Sequence, residues 1–187
     1  MTLFMVFLIF LGLILIIISL LCFIFLLDLV ILGHDVNSNR EAQNIVYRII
    51  EQNSLQDKTF YDLGCARGTF SLNLKKRFPK LNVYASDNNF LRISLAKLKN
   101  KFFKRGVNFS RANIFNLDLS KTDIIFTYLW YSTMPPLEKK LLAELKPGAI
   151  VIANESYFPT WRPQKVVDTL PNKKNSVQIF IYKKSND

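Results

Sequence analysis

The residues with the clearest capacity for chemistry lie in the stretch 60–70, FYDLGCARGTF. Apolar residues lead to an acid, Asp62, and two glycines four residues apart, Gly64 and Gly68, follow before a helical pattern begins. This order predicts a strand, a tight turn and the N-terminus of a helix. Such a turn presents backbone N–H groups and the positive end of a helix dipole, so it favours a bound ligand at this point of the chain.

Three kinds of ligand-binding turn can join a strand to a helix through glycines. A phosphate-binding P-loop ends in Gly-Lys-Ser/Thr, but Thr-Phe follows Gly68, so the sequence excludes a P-loop. A dinucleotide fingerprint, G-x-G-x-x-G, would need glycine where the chain has Ala66 and Thr69. The third pattern, D-x-G-x-x-x-G, is matched by Asp62, Gly64 and Gly68, and it resembles motif I of class I S-adenosylmethionine-dependent methyltransferases.

Polar side chains after the next predicted strands strengthen this resemblance. It implies that Asp62 faces the ammonium group of the cofactor's methionine part, and that Asp87, 19 residues past Gly68, accepts hydrogen bonds from the ribose hydroxyls. Asn113 stands where these enzymes usually have an acid that contacts the adenine amino group. Taken singly, Asp87 could instead be a strand-end cap and Asn113 a turn residue. The expected cofactor-binding residues are Asp62, Gly64, Cys65, Ala66, Gly68, Asp87, Asn88, Asn113 and Ile114.

Aromatic side chains follow the fourth and fifth predicted strands, where this fold places its substrate. Tyr128 is the residue most expected to line the methyl-transfer channel, and Trp161 is the next. If the acceptor is lysine, its ammonium must first lose a proton, and burial between aromatic walls favours the neutral amine. Packing or a membrane-interface location is the alternative explanation. No metal site is expected, because the chain has one histidine and its two cysteines lack ligand spacing.

Strands and helices alternate along the part of the chain that carries these residues. Five strands are predicted at 59–63, 81–86, 107–110, 122–130 and 149–154, with helices at 69–77, 89–104 and 136–145. A further helix, capped by Ser38 or Asn39, is predicted before the first strand, with its apolar residues between Ala42 and Ile50. Two further strands, 165–170 and 177–182, form a hairpin. The predicted fold class is α/β, a Rossmann-like, doubly wound and mostly parallel sheet with a C-terminal antiparallel hairpin. Helix 89–104 is expected to carry Leu91, Leu95, Leu98 and Phe102 on one face and Lys97, Lys99, Lys101 and Lys104 on the other.

An uncharged apolar run precedes this domain. Leu3–Leu27 is about 25 residues long and spans about 37 Å as a helix, against about 30 Å for a bilayer core. No basic residue precedes the run and no small-residue pair ends it, so we expect a retained single-span anchor in 1–33, followed by the methyltransferase domain in 34–187.

All charged residues follow the apolar run. The 25 basic and 14 acidic side chains give a net charge of +11. The positive-inside rule then predicts that the domain lies on the cytoplasmic or matrix-equivalent side of the membrane. With an anchor present, anionic lipid or an acidic partner accounts for the charge more simply than nucleic acid does.

From about Asn44 to Tyr182 the chain resembles a narrower family, the single-span membrane protein-lysine methyltransferases. Its mitochondrial members modify lysines of the ATP synthase c-subunit and the adenine nucleotide translocase, and prokaryotic relatives share the layout. The most specific stretch is Asp123–Pro163, which contains IIFTYLW and an F-x-x-W-x-P ending. The cofactor turn departs from the family's G-S-G-D-G-R, since this chain has Gly-Cys-Ala-Arg-Gly-Thr from Gly64 onward.

The resemblance implies a membrane-anchored enzyme that uses S-adenosylmethionine to N-methylate lysine in a membrane-associated protein. Two alternatives remain open on the residues alone. The acceptor could be a lipid or quinone head group, or the domain could be an inactive, membrane-tethered binding module.

Overall fold

The computed structural model describes residues 2–31, 39–170 and 176–185, which divide into two compact units, Met1–Val36 and Asn37–Asp187. The first unit is a single helix, α1 (Thr2–Ile31). Its segment Phe4–Phe23 has a mean hydropathy of 3.3 and is long and apolar enough to cross a membrane, although a signal sequence has the same properties. The predicted boundary between residues 33 and 34 lies outside the described residues.

The second unit alternates strands and helices, as the sequence predicts. Its helices are α2 (Arg40–Gln52), α3 (Thr69–Arg77), α4 (Phe90–Phe103) and α5 (Met134–Glu144). Its strands are β1 (Thr59–Leu63), β2 (Asn82–Asp87), β3 (Asn108–Arg111), β4 (Ile124–Thr127), β5 (Ile150–Asn154), β6 (Lys165–Asp168) and β7 (Gln178–Lys183). Short 3-10 helices occupy Ile114–Asn116 and Tyr131–Thr133.

One mixed sheet contains all seven of these strands, in the order β3-β2-β1-β4-β5-β7-β6. Strands β1 to β5 pair in parallel, and β7 pairs antiparallel with both β5 and β6. The direction of strand progression reverses at β1, whose neighbours are β2 and β4. In such sheets a ligand binds beyond the carboxyl ends of the strands at this reversal. The predicted α/β class, including the edge hairpin, is confirmed.

Hydrophobic side chains pack on both faces of the sheet. One layer lies beneath α2, α3 and α4 and includes Phe60 and Leu74; the other lies beneath α5 and includes Leu63 and Leu137. The described members of both layers fall between Ala42 and Tyr182, so the second unit has a hydrophobic core of its own.

Strand β4 is shorter than the sequence predicts. It ends at Thr127, and the apolar residues Tyr128–Trp130 form a loop beyond the edge of the sheet. The sequence predicts a longer strand because apolar residues continue past Thr127, which is the last residue of β4 that pairs with β1 and β5. Tyr128 still packs against the core layer beneath α2, α3 and α4, whereas Trp130 is exposed.

The prediction for the two faces of α4 was wrong in part. Leu91, Leu95, Leu98 and Phe102 do share a face, but that face is exposed. The opposite face, where the lysines were expected, packs on the sheet through Ile93 and Ala96, and Lys104 lies beyond the end of the helix. Small residues suffice here because the backbone approaches closely: a Cβ on Gly68 would lie 3.0 Å from the Cβ of Ala96.

Candidate active site

The turn between β1 and α3 is fastened to the end of β2 by backbone hydrogen bonds. The N–H groups of Gly64 and Cys65 both donate to the carbonyl oxygen of Ser86, each at 2.9 Å. Gly64 and Gly68 have φ values of +81° and +70°, and Ala66, at +48°, is left-handed too. Because a left-handed backbone costs a residue with a side chain about 1–2 kcal/mol, Ala66 is a strained position in the turn.

Both glycines of the turn are also required by packing. A Cβ on Gly64 would lie 2.5 Å from Cδ2 of Leu129, and one on Gly68 would lie 2.5 Å from two ring atoms of Phe109. The sequence suggested glycine here for close approach of a ligand. The structure adds a second reason, since the turn is wedged between side chains of β3 and of the loop after β4.

The carboxylate of Asp87 links the turn to the end of β2. It is 6% exposed; its Oδ2 accepts a hydrogen bond from the N–H of Ala66 at 3.1 Å, and its Oδ1 accepts one from the N–H of Asn89 at 2.9 Å. The guanidinium of Arg92 lies 3.9 Å from Oδ2. These contacts fix the carboxylate in place, and each oxygen keeps a further lone pair for a ligand.

The carboxyl group of Asp62 is buried at the end of β1. It is 3% exposed and accepts a hydrogen bond from the Ser71 hydroxyl. Burial raises the pKa of Asp62 to about 7; the Ser71 hydrogen bond opposes this rise, and the nearby Asp87 charge adds to it. Because a positive charge stabilises the ionised form of a carboxyl group, the raised pKa of Asp62 favours a cation beside it. The sequence analysis missed Ser71, which is recognisable only as a polar residue in the first turn of α3.

The residues expected near adenine lie at the ends of β2 and β3. Asn113 caps the 3-10 helix Ile114–Asn116, because its Oδ1 accepts a hydrogen bond from the Phe115 N–H at 3.1 Å. Ile114 packs partly against the core layer beneath α5. The carbonyl of Asn88 accepts a hydrogen bond from Nε of Arg111 at 3.1 Å. Asn113 therefore stabilises the turn at this point, as the alternative considered for it requires, and one lone pair of its oxygen is in use.

A hydroxyl–carboxylate pair joins the ends of β4 and β5. The hydroxyl of Tyr128 donates to Oε2 of Glu155 at 2.5 Å, and burial together with this hydrogen bond raises the pKa of Tyr128 far above its usual range. A second bond, from the Ser156 hydroxyl to the Leu129 carbonyl at 2.8 Å, ties the same two loops. Glu155 has a φ of +68°. The sequence analysis missed Glu155, although, like Asp62 and Asp87, it lies at the end of a parallel strand.

Trp161 lies in an aromatic packing cluster. Its ring centroid is 5.6 Å from that of Phe158 and 5.2 Å from that of Tyr182. Its backbone N–H donates to Glu138, a buried carboxylate of α5 that also accepts from Thr160. The structure thus brings Tyr128 together with Glu155, while the described contacts of Trp161 are with the layer beneath α5.

Three buried oxygen atoms at the carboxyl edge of the sheet have no hydrogen-bond partner among the described residues. They are Ser86 Oγ on β2, Thr127 Oγ1 on β4 and Asn154 Oδ1 on β5. Buried polar atoms are normally paired, so orphaned ones mark a place where a ligand or water completes the structure. Within the described part of the chain, no group of three or more His, Cys, Asp or Glu side chains could hold a metal ion.

Comparison with known proteins identifies the family of this chain. The family model of the ANTKMT methyltransferase domain matches residues 62–165, which begin at the buried acid of β1 and include the loops after β4 and β5. The chain belongs to this family.

Individual relatives agree with this membership in the ANTKMT methyltransferase domain family. A protein-lysine N-methyltransferase of Saccharolobus islandicus is 27% identical over 143 residues, which cover 75% of this chain and 88% of that protein. A carboxy-S-adenosyl-L-methionine synthase of Vibrio vulnificus is 27% identical over 106 residues, but they cover 52% of this chain and 43% of that protein.

Solved structures share the fold of this ANTKMT-family chain. An RNA methyltransferase from Salinibacter ruber in complex with S-adenosyl-L-homocysteine has a TM-score of 0.70 at 19% identity, covering 81% of this chain and 95% of that one. The magnesium protoporphyrin IX methyltransferase of Synechocystis has a TM-score of 0.60 at 14% identity, covering 82% of this chain and 88% of its own. At such identities the likeness shows the fold alone.

As a member of the ANTKMT methyltransferase domain family, the chain is an S-adenosylmethionine-dependent methyltransferase, and S-adenosylmethionine is its cofactor. Two features of the carboxyl edge suit a nucleoside with an amino-acid tail. Asp87 is a fixed, buried hydrogen-bond acceptor, and Asp62 is a buried carboxyl that a cation would ionise. The orphaned hydroxyls of Ser86 and Thr127 lie at the ends of the strands on either side of β1.

Proposed function

We propose that this enzyme transfers a methyl group to the side-chain amine of lysine in a membrane-associated protein. The observation that carries the proposal is the pair formed by Tyr128 and Glu155 at the carboxyl edge of the sheet. A carboxylate at this edge attracts a lysine ammonium and is able to accept its proton. The relation to the Saccharolobus islandicus protein-lysine N-methyltransferase supports the same acceptor class.

The cofactor is proposed to bind through the residues identified from the sequence. Asp62 holds the ammonium of its methionine part, and Asp87 accepts hydrogen bonds from its ribose hydroxyls. Asn113 contacts the adenine amino group through the second lone pair of its oxygen, since the first accepts from a backbone N–H. The remaining residues of the proposed site are Gly64, Cys65, Ala66, Gly68, Asn88 and Ile114.

The protein's contribution to the reaction is to deliver a neutral amine in the right place. When bound, S-adenosylmethionine supplies an electrophilic methyl group. Glu155 holds the incoming ammonium and takes up its proton on a carboxylate oxygen. Tyr128 stays protonated at neutral pH because its pKa is raised, so its hydroxyl keeps donating to Glu155 and orients it.

Two aromatic side chains, Tyr131 and Tyr157, are half exposed and would limit the access of water to this reaction by packing on the bound substrate. The rings of Tyr131 and Tyr157 lie 5.1 Å apart, one from the loop after each of the two strands that carry the hydroxyl–carboxylate pair. Excluding water favours the neutral amine and orients it toward the methyl group. Trp161 is proposed as a further lining residue.

We also propose that α1 anchors the enzyme in a membrane, with the domain on the cytoplasmic or matrix-equivalent side. Two observations support this location. The segment Phe4–Phe23 is long and apolar enough to span a bilayer. All of the charged residues, with a net charge of +11, follow Leu27, as the positive-inside rule would require.

A partition experiment tests the acceptor. The full chain is incubated with membranes and methyl-labelled S-adenosylmethionine, and the label is then divided between protein and lipid extracts. Label in protein, identified as methyllysine, supports the proposal. Label in the lipid extract favours a lipid or quinone head group, and bound cofactor without transfer favours a binding module. Asp87→Ala is the control, because it should lose the cofactor and the label together.

A further inference from the structure

An apolar stripe runs along the solvent side of α4. Its members follow one another at intervals of four, three and four residues, the spacing of a single helix face. They are Leu91, Leu95, Leu98 and Phe102, with exposed fractions of 41%, 36%, 64% and 80%. The residues that pack α4 on the sheet, Ile93 and Ala96, are 3% and 0% exposed. The helix therefore presents its largest apolar side chains to the solvent.

Basic residues border this stripe on one side. At 100° per residue, Lys97 and Lys101 lie there, whereas Lys99, on the other side, donates a hydrogen bond from Nζ to the carbonyl oxygen of Arg67 at 3.4 Å. Residues 90–105 contain six lysines and arginines and no acid. Scattered apolar residues are ordinary on a protein surface, but a continuous apolar stripe with a charged border is typical of an interaction surface.

We propose that this face of α4 docks on an anionic lipid bilayer, with the helix axis in the plane of the interface. Leu91, Leu98 and Phe102 would enter the boundary between head groups and acyl chains. Lys97 and Lys101 would extend their charged ends to the lipid phosphates, as such side chains do at membrane surfaces. The inference deepens the proposed membrane attachment, which brings the domain within reach of a bilayer.

Charge favours lipid over the other possible occupants. A second copy of this chain would bring its own Lys97 and Lys101 against those of the first, and the two surfaces would repel. A protein partner would need an acidic rim beside an apolar groove. A bilayer containing anionic lipid offers negative charge on every side of an apolar layer.

The location of α4 gives this contact a consequence for catalysis. The helix begins just after Asp87, and the N–H of Asn89 and the guanidinium of Arg92 both approach that carboxylate. With α4 on the membrane, the edge of the sheet that carries the cofactor residues lies beside the bilayer. Lysines of membrane proteins that emerge at the surface would then be within reach.

Spin labels on the full chain, reconstituted into vesicles, test the proposal. A nitroxide is attached at Leu98→Cys in a Cys22→Ser background, since Cys65 is buried. Leu142→Cys is the matched control, an exposed leucine on α5 at the opposite face of the sheet. Vesicles contain phosphatidylcholine with or without phosphatidylserine. Collision with oxygen, which concentrates in bilayers, is compared with collision with a water-soluble nickel complex.

With phosphatidylserine present, we expect the oxygen-to-nickel ratio at position 98 to be several-fold higher than at position 142, and to fall without it. Equal ratios at the two positions would overturn the proposal. Protection of position 98 from both reagents, or broadening from a second label, would also overturn it in favour of a protein contact. A label on native Cys22 reports on the span separately, so failure of the anchor is distinguishable from failure of docking. Phe102→Glu should lower the ratio at position 98 without changing cofactor affinity.

Discussion

Replacing Asp62 by asparagine tests the acid at the end of β1. Its side chain is buried, and burial raises its pKa to about 7, against the opposing effect of the Ser71 hydrogen bond. A cofactor ammonium beside this group would favour the carboxylate. Below pH 7, binding must therefore displace a proton, and affinity should fall as the pH falls.

The size of the effect follows from the pKa. With a pKa of about 7, the ionised fraction of Asp62 is about one tenth at pH 6 and about nine tenths at pH 8. If only the carboxylate holds the ammonium, S-adenosylmethionine should bind about tenfold more weakly at pH 6 than at pH 8. Asp62→Asn should bind weakly at both values, without this change. Ser71→Ala removes a hydrogen bond that favours the charged form, so it should move the midpoint to higher pH.

Titration calorimetry on the full chain in detergent measures these affinities. Ionisation of the cofactor's own amine also changes the affinity with pH, but it does so equally in wild type and in Asp62→Asn. The difference between the two proteins therefore reports on Asp62. An identical pH dependence in wild type and Asp62→Asn would refute the assignment of the ammonium to this residue. A flat wild-type profile would refute the raised pKa.

The same pKa predicts a stability change in the cofactor-free enzyme. The folded-state pKa of about 7 lies above the ordinary value of 3.8, so the folded state binds the proton more tightly. The contribution is fully present below pH 3.8 and is lost as the pH rises to 7. A shift of about three units corresponds to about 4 kcal/mol at most. Urea unfolding should therefore show Asp62→Asn gaining stability relative to wild type between pH 5 and pH 8, and a constant difference would contradict this.

Five other substitutions have defined outcomes. Asp87→Ala should weaken cofactor binding tenfold or more, on the scale of one or two lost hydrogen bonds to a charged group, and unchanged affinity by calorimetry would contradict its role. Gly68→Ala should lower the free energy of unfolding by about 2–5 kcal/mol, since left-handed strain and overpacking against a β3 ring add. Ala66→Gly should be neutral or stabilising, and equal urea midpoints for these two variants would refute the turn geometry. Tyr128→Phe should lower kcat about 10- to 100-fold and Glu155→Gln by about 100-fold or more, both with cofactor affinity retained; wild-type turnover in either would exclude the pair from catalysis.

The fold could be predicted from the sequence largely because its signals are local. The alternation of apolar strands with helices, and the acid and glycine spacing from Asp62 to Gly68, are each contained within a short window. The end of β4 was misjudged because apolar aromatic residues continue past Thr127, where pairing with the neighbouring strands ends.

The rest depends on how distant segments meet. Glu155 lies 27 residues from Tyr128, and only the adjacency of β4 and β5 brings the two side chains together. Likewise, the outward orientation of the stripe on α4 depends on which face fits the sheet. Apolar residues spaced four, three and four apart predict a shared face, but close packing at Ala96 decides which side is buried.

The central claim is that this enzyme methylates lysine, and identifying the methylated residue tests it most directly. The full chain in native-like membranes is supplied with deuterium-labelled S-adenosylmethionine, and membrane proteins are analysed by mass spectrometry, with Glu155→Gln in parallel. We expect deuterated methyl groups on lysine side chains with wild type and a large reduction with the variant. Labelled methyl groups found only on lipid or quinone, or on residues other than lysine, would contradict it.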